Sequence, residues 1–339
     1  MNSIERVVAA VSFNKTDRVP VIAQVFGQSA VLAGIPLDHY LRSGELIAKC
    51  QIKALEYYGY DAVFALMDVN VETEAAGSIL NYVKDDYATI TKYAINESTN
   101  IDALKIPHPE KDGRMPELLK AAKLLRSEVG NEVVVVGTVL GPLTIATQLL
   151  SMEKAFYLAA DDPMKFEKIL DYATEICITF GIAQIQAGAH LPIVFNPSAS
   201  PVCIPPQFFK EFELPRLQKV FTKFKEAGAA ANWLHIAGPV QSIVQTYPEA
   251  GVNIINFDYC VSAEEIQQLT PTTCVDGNIK SLSFEEASPE EIESEAMNLI
   301  KIFSNRGGFI LSSGCEIPPK SKPENITALM SASRKMANG

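Results

Sequence analysis

Short apolar runs recur along the chain, and longer stretches with helical spacing separate them. The plainest is VVVVG at 133–137, which has no polar residue and reads as a strand buried on both faces. The same pattern places strands near 19–25, 61–67, 191–196, 231–236, 252–257, 272–277 and 308–313. Between them, helical periodicity predicts helices at about 3–12, 43–58, 116–126, 142–150, 162–171, 173–187, 206–226 and 288–303. The stretch 77–95 differs in kind. Two alternating runs flank Lys84, Asp85 and Asp86, which predicts a β-hairpin standing outside the main sheet.

Eight strands alternating with helices predict an α/β fold, a (β/α)8 TIM barrel formed by a single domain over 1–339. No glycine-rich phosphate fingerprint follows the first strand, as a doubly wound dinucleotide fold would require. No short-period repeat points to a solenoid.

Charge and composition narrow the function. A net charge of −11 speaks against a nucleic-acid binder, which needs a basic stripe. No run approaches the roughly 18 apolar residues of a membrane span, and the first residues lack a signal-peptide pattern, so a cytoplasmic protein is expected. The six cysteines, at 50, 177, 203, 260, 274 and 315, form no CxxC pair. They suit buried small side chains or site residues better than disulfides.

Two strands end in the same design. One delivers His235 just before Gly238 and Pro239; the other delivers Cys315 and Glu316 before Pro318 and Pro319. Barrel ligands bind at the C-terminal ends of the strands. There the expected rim collects Asp68, Asn196, His235, Asp258, Asn278 and Cys315, with Glu72, Glu74, Gln148 and Glu316 behind them. A histidine and a thiolate suit zinc, with a carboxylate such as Asp258 or the thiol of Cys260 as a further donor. Cys–His nucleophilic chemistry is the metal-free alternative. Asp68, Glu72 and Glu74 read either as site groups or as solvated loop charges.

Several stretches resemble the uroporphyrinogen decarboxylase superfamily: SIERVVAAVSFNKTDRVPV at the start, GPLTIATQLL at 141–150, NPSASP at 196–201, LHIAG at 234–238, VDGNI at 275–279 and GCEIPPKSKPENI at 314–326. More narrowly they resemble its methylcobamide:thiol methyltransferase branch. The resemblance implies a TIM barrel and a methyl group moved between a small methylated molecule or thiol and a corrinoid carried on a partner protein. It also implies catalytic roles for Asp68, His235, Asp258 and Cys315, and cofactor contacts at Gly141, Gln148, Asn196 and Asn278. Zinc would sit on His235 and Cys315. The branch's intervening cysteine falls on Ala237, and its usual aspartate in NPSAS falls on Asn196. Decarboxylation of a tetrapyrrole fits less well, since the superfamily's arginine-rich entry motif is absent and its active-site tyrosine position falls on Gln148. A third possibility is a barrel that binds ligand without the metal.

Overall fold

The computed structural model describes residues 1–337. Its strands among the described residues are β1 (Ala62–Ala65), β2 (Ile79–Asn81), β3 (Thr89–Lys92), β4 (Val134–Leu140), β5 (Leu191–Phe195), β6 (Trp233–His235), β7 (Ile254–Asn256), β8 (Cys274–Ile279) and β9 (Phe309–Ser313). Seven of them form one sheet in the order β1-β4-β5-β6-β7-β8-β9, every pair parallel. Strand order follows chain order without reversal, which is barrel topology. All seven are buried along their whole length, because the helices cover the outer face and side chains fill the inner one.

The expected first strand is the main departure. Residues 19–25 make only isolated bridges, Val21 to Leu311 and Val25 to Ile317. Three features shorten it. Pro20 has no N–H to give a ladder. The Val21 N–H donates to the Asp61 carboxylate at 2.8 Å, and the Val25 N–H turns back onto Ala23 at 2.8 Å. The segment nevertheless closes the ring. Ile22 donates to Leu311 on one side, at 3.0 Å, and Asp61 donates to the Val21 carbonyl on the other, at 2.8 Å. Asp61 is fully buried here and also receives Arg6 at 2.7 Å and Arg18 at 2.8 Å, so its charge is compensated.

β2 and β3 pair antiparallel, apart from the barrel sheet, as the 77–95 pattern predicts. The helices differ from expectation in two places. The expected pair at 162–171 and 173–187 is one helix, Pro163–Ala187. Its buried stripe of Phe166, Ile169, Leu170, Ala173, Ile176, Cys177 and Phe180 keeps helical phase straight through the expected break. Gly181 sits within it because the Phe224 ring occupies the space of a side chain. The 206–226 helix contains a π-turn, Phe209–Glu213, ahead of Leu214–Glu226. Such turns re-aim side chains, and this one carries Glu213 to Asn196.

Candidate functional site at the barrel mouth

His235 is the last residue of β6, between Phe195 and Asn256 in the sheet register. The strand stops there because Gly238 turns at a φ of +97°, where a Cβ would lie 2.7 Å from the Ser200 hydroxyl. The Gly238 N–H donates to Asp258 at 2.9 Å and fixes the turn. Cys315 is placed from the other side. Gly314 follows β9, donates to Ile279 at 2.8 Å, and has no room for a Cβ, which would lie 3.0 Å from Asp258 and from the Tyr259 nitrogen. Ile317 then donates to Gln24 at 3.0 Å, so residues 314–317 are held at both ends.

These strand ends open into a pocket of about 230 Å³. His235, Cys315 and Asp68 all line it, with Glu316 and Ala237 beside them. Its walls include the side chains of Phe26, Leu66, Phe195 and Pro197, and Tyr87 and Ala88 roof it from the hairpin. Asn70 ties that roof down by donating to the Ala88 carbonyl at 2.8 Å. Tyr87 donates its hydroxyl to Glu316.

Each polar group has a defined state. Burial pulls the His235 imidazole down to about 3, so it is neutral. Its Nδ1 is buried with no hydrogen-bond partner, and its ring lies against Phe195, centroids 4.8 Å apart and planes tilted by 50°. Burial pushes the Cys315 thiol up to about 11 and the Glu316 carboxyl up to about 7. Asp68 is held by Arg114, whose Nη1 and Nη2 lie 2.7 and 3.1 Å from its two oxygens, and by the Asn70 N–H at 2.8 Å.

The other expected site residues lie outside the pocket lining. Asp258 accepts from Gly238 and from the Tyr259 N–H at 2.6 Å, joining two rim loops. Asn278 donates to the Val261 carbonyl at 2.8 Å. Asn196 is fully buried, accepts from the Thr144 hydroxyl at 2.9 Å and donates to Glu213. Gly141 packs on that Asn196 amide with no space for a side chain. Gln148 lies 3.5 Å from the Thr73 hydroxyl. Glu72 and Glu74 are not solvated loop charges. Glu72 is buried, accepts from the Leu140 N–H at 2.7 Å and is pushed up to about 7, while Glu74 pairs with Arg114 at 2.6 Å. Cys260 is exposed and is not a pocket residue.

Arg114 and Tyr87 are absent from the sequence-based set. Arg114 precedes the helix Met115–Val129 rather than ending a strand, and Tyr87 lies on the excursion. Spacing gives neither away.

The expected zinc does not find a three-donor protein shell. His235 and Cys315 share the pocket, but Ala237 carries no donor, Asp68 is paired with Arg114, and one Glu316 oxygen accepts from Tyr87. No group of three His, Cys, Asp or Glu residues suited to a metal occurs among the described residues. A catalytic zinc site takes three protein ligands.

Comparison with known proteins agrees with this architecture. A methylcobamide:CoM methyltransferase of Methanosarcina barkeri is 30% identical, with 96% of each chain covered. A uroporphyrinogen decarboxylase of Anaeromyxobacter is 23% identical over 89% of this chain and 88% of its own. Among solved structures, a methyltransferase from Methanosarcina mazei superposes with a TM-score of 0.89 at 27% identity, covering 99% of both chains. The family described as uroporphyrinogen decarboxylase (URO-D) matches residues 2–336, and the chain belongs to it.

Proposed function

We propose that this chain is a methyltransferase that moves a methyl group between a small molecule in the barrel-mouth pocket and a corrinoid carried by a partner protein. The observation that carries the reading is the meeting of His235 and Cys315 in an apolar pocket at the C-terminal ends of the strands. The similarity to a methylcobamide-dependent methyltransferase supports it.

The mouth suits a large cofactor laid over it. Val69, Val202, Tyr259 and Leu282 are all exposed apolar side chains, and each follows the C-terminal end of a barrel strand. A bound corrinoid supplies the metal centre that gives or takes the methyl group. The chain's own residues do the rest. Phe26, Leu66 and Phe195 exclude water from the small molecule, and the hairpin roof covers it. The heteroatom that loses the methyl keeps the bonding pair and takes up a proton; one that gains the methyl gives a proton up. The Glu316 carboxyl, bonded to Tyr87, is positioned to exchange that proton, and neutral His235 orients the heteroatom.

Because the donor set does not fit zinc, no step is assigned to it. Tetrapyrrole decarboxylation is disfavoured by the same pocket. No Lys or Arg lines it, whereas a polycarboxylate calls for several, and 230 Å³ is below the roughly 300–1,000 Å³ of ordinary ligand pockets. A cytoplasmic location belongs to the proposal and is supported by the six unpaired cysteines. No helix among the described residues is long and apolar enough to cross a membrane.

The test is methyl exchange. Purified protein mixed with methylcobalamin and a panel of thiols, or with reduced cobalamin and a panel of methyl donors, should change the corrinoid absorbance. Porphyrinogen decarboxylation with no corrinoid change in either direction would overturn the reading.

A further inference from the structure

The charges around the pocket restrict what enters it. Two carboxylates line it, Asp68 and Glu316, and no Lys or Arg does. The cation that reaches Asp68 from behind is Arg114, and its groups are already engaged. Its Nε donates to Glu74 at 2.6 Å, Nη1 to Asp68 and to the Leu41 carbonyl at 2.7 and 2.8 Å, and Nη2 to Asp68 at 3.1 Å. An anion would therefore leave water for an apolar cavity that holds two carboxylates and offers it no counter-charge. Burial of an unpaired charge is strongly unfavourable.

Size gives the second restriction. An apolar cavity of roughly 150 Å³ accepts benzene. At about 230 Å³, this one has room for a single ring with a small substituent. The rings of Phe26, Phe195 and Tyr87 line it, and they suit a flat apolar partner. His235, whose Nδ1 is unpartnered, and Cys315 can meet a heteroatom, and the rest of the lining is largely apolar, so the ligand needs a polar group on an apolar body.

We infer, resting on the methyltransferase reading, that the small molecule exchanged at this site is uncharged, apolar in body and the size of one substituted six-membered ring. Its methyl group or its thiol is borne at the single polar end. Anionic thiols and carboxylated analogues are excluded because the lining offers them no counter-charge.

Binding to the full-length protein, without any corrinoid, tests this directly. Isothermal titration with methyl phenyl ether and methyl phenyl sulfide is compared with 4-methoxybenzoate and 2-mercaptoethanesulfonate. The neutral pair should bind at least about tenfold more tightly than either anion. Ala88→Phe, which fills the pocket from its roof, should remove that binding while the thermal transition persists. Val69→Arg, at the exposed edge of the lining, should bring 4-methoxybenzoate closer to the neutral ether. Equal or tighter binding of the anions, or no binding of the neutral pair, overturns the inference. The methyl-exchange assay separates this from the parent reading. Selective neutral binding without methyl exchange leaves the ligand class standing and removes the methyltransferase. Exchange with anionic partners alone does the reverse.

Discussion

Arg114 grips Asp68 with two nitrogens, at 2.7 and 3.1 Å, and both side chains are almost completely buried. The carboxylate therefore reaches the pocket as one half of a closed ion pair. It serves as a fixed wall of defined charge and is not a free base. Arg114 also joins Glu74 and the Leu41 carbonyl, so it stitches the loop after β1 to the start of the helix Met115–Val129.

Removing the arginine leaves Asp68 buried without its partner. Arg114→Met should destabilise the fold by about 3–5 kcal/mol in urea denaturation. Asp68→Asn, which keeps the shape and part of the hydrogen bonding, should cost less. An Arg114→Met variant as stable as the parent would mean that the pair does not hold the rim.

A second expectation concerns pH. Burial pushes Glu213 up to about 7 from its ordinary 4.5, and Glu72 and Asp276 are pushed the same way. Between those values the folded protein keeps protons that the unfolded chain releases. The contribution of these groups is thus complete below pH 4.5, declines as pH rises to about 7 and is flat above it. Glu213→Gln removes one share of that decline. Relative to the parent, the variant should gain on the order of 3 kcal/mol between about pH 5 and pH 8. A difference that stays constant across that range would show that Glu213 ionises normally.

Third, the donor count at the mouth should govern metal affinity. Ala237→Cys adds a thiol to the lining that His235 and Cys315 share and brings the protein donors to three. After dialysis against a mild chelator, the variant should retain about one equivalent of zinc and the parent much less. Cys315→Ser in the Ala237→Cys background should lose it again. Stoichiometric zinc in the dialysed parent would mean that a donor other than these closes the shell.

The barrel was legible because its signal is redundant. Runs such as 133–137 and 252–257 are apolar enough to need cover on both faces, and the glycines and prolines after them mark where each ends. The positions of His235 and Cys315 at the pocket are legible for the same reason, since each sits where an apolar run breaks. The strand at 19–25 read as regular because Val21, Ile22 and Val25 are buried; periodicity does not reveal that a side chain, Asp61, takes the place of a ladder partner. Ending or following strands makes Asp258, Asn278 and Asn196 read as rim residues, and in the structure they hold neighbouring loops and helices. Tyr87 and Arg114 escape the sequence pattern because they arrive from outside the βα repeat. Their partners, Glu316 and Asp68, are 229 and 46 residues away in sequence.

The pocket holding His235 and Cys315 should exchange a methyl group with a corrinoid. Single-turnover absorbance of cobalamin, recorded with the parent protein and with Cys315→Ser and His235→Ala at matched folded concentration, tests it most directly. Methylated and demethylated corrinoid should interconvert in the presence of a small methyl donor or acceptor, with the exchange strongly slowed in both variants. Undiminished exchange in both variants, or no corrinoid change with the parent protein under any donor or acceptor, would contradict it.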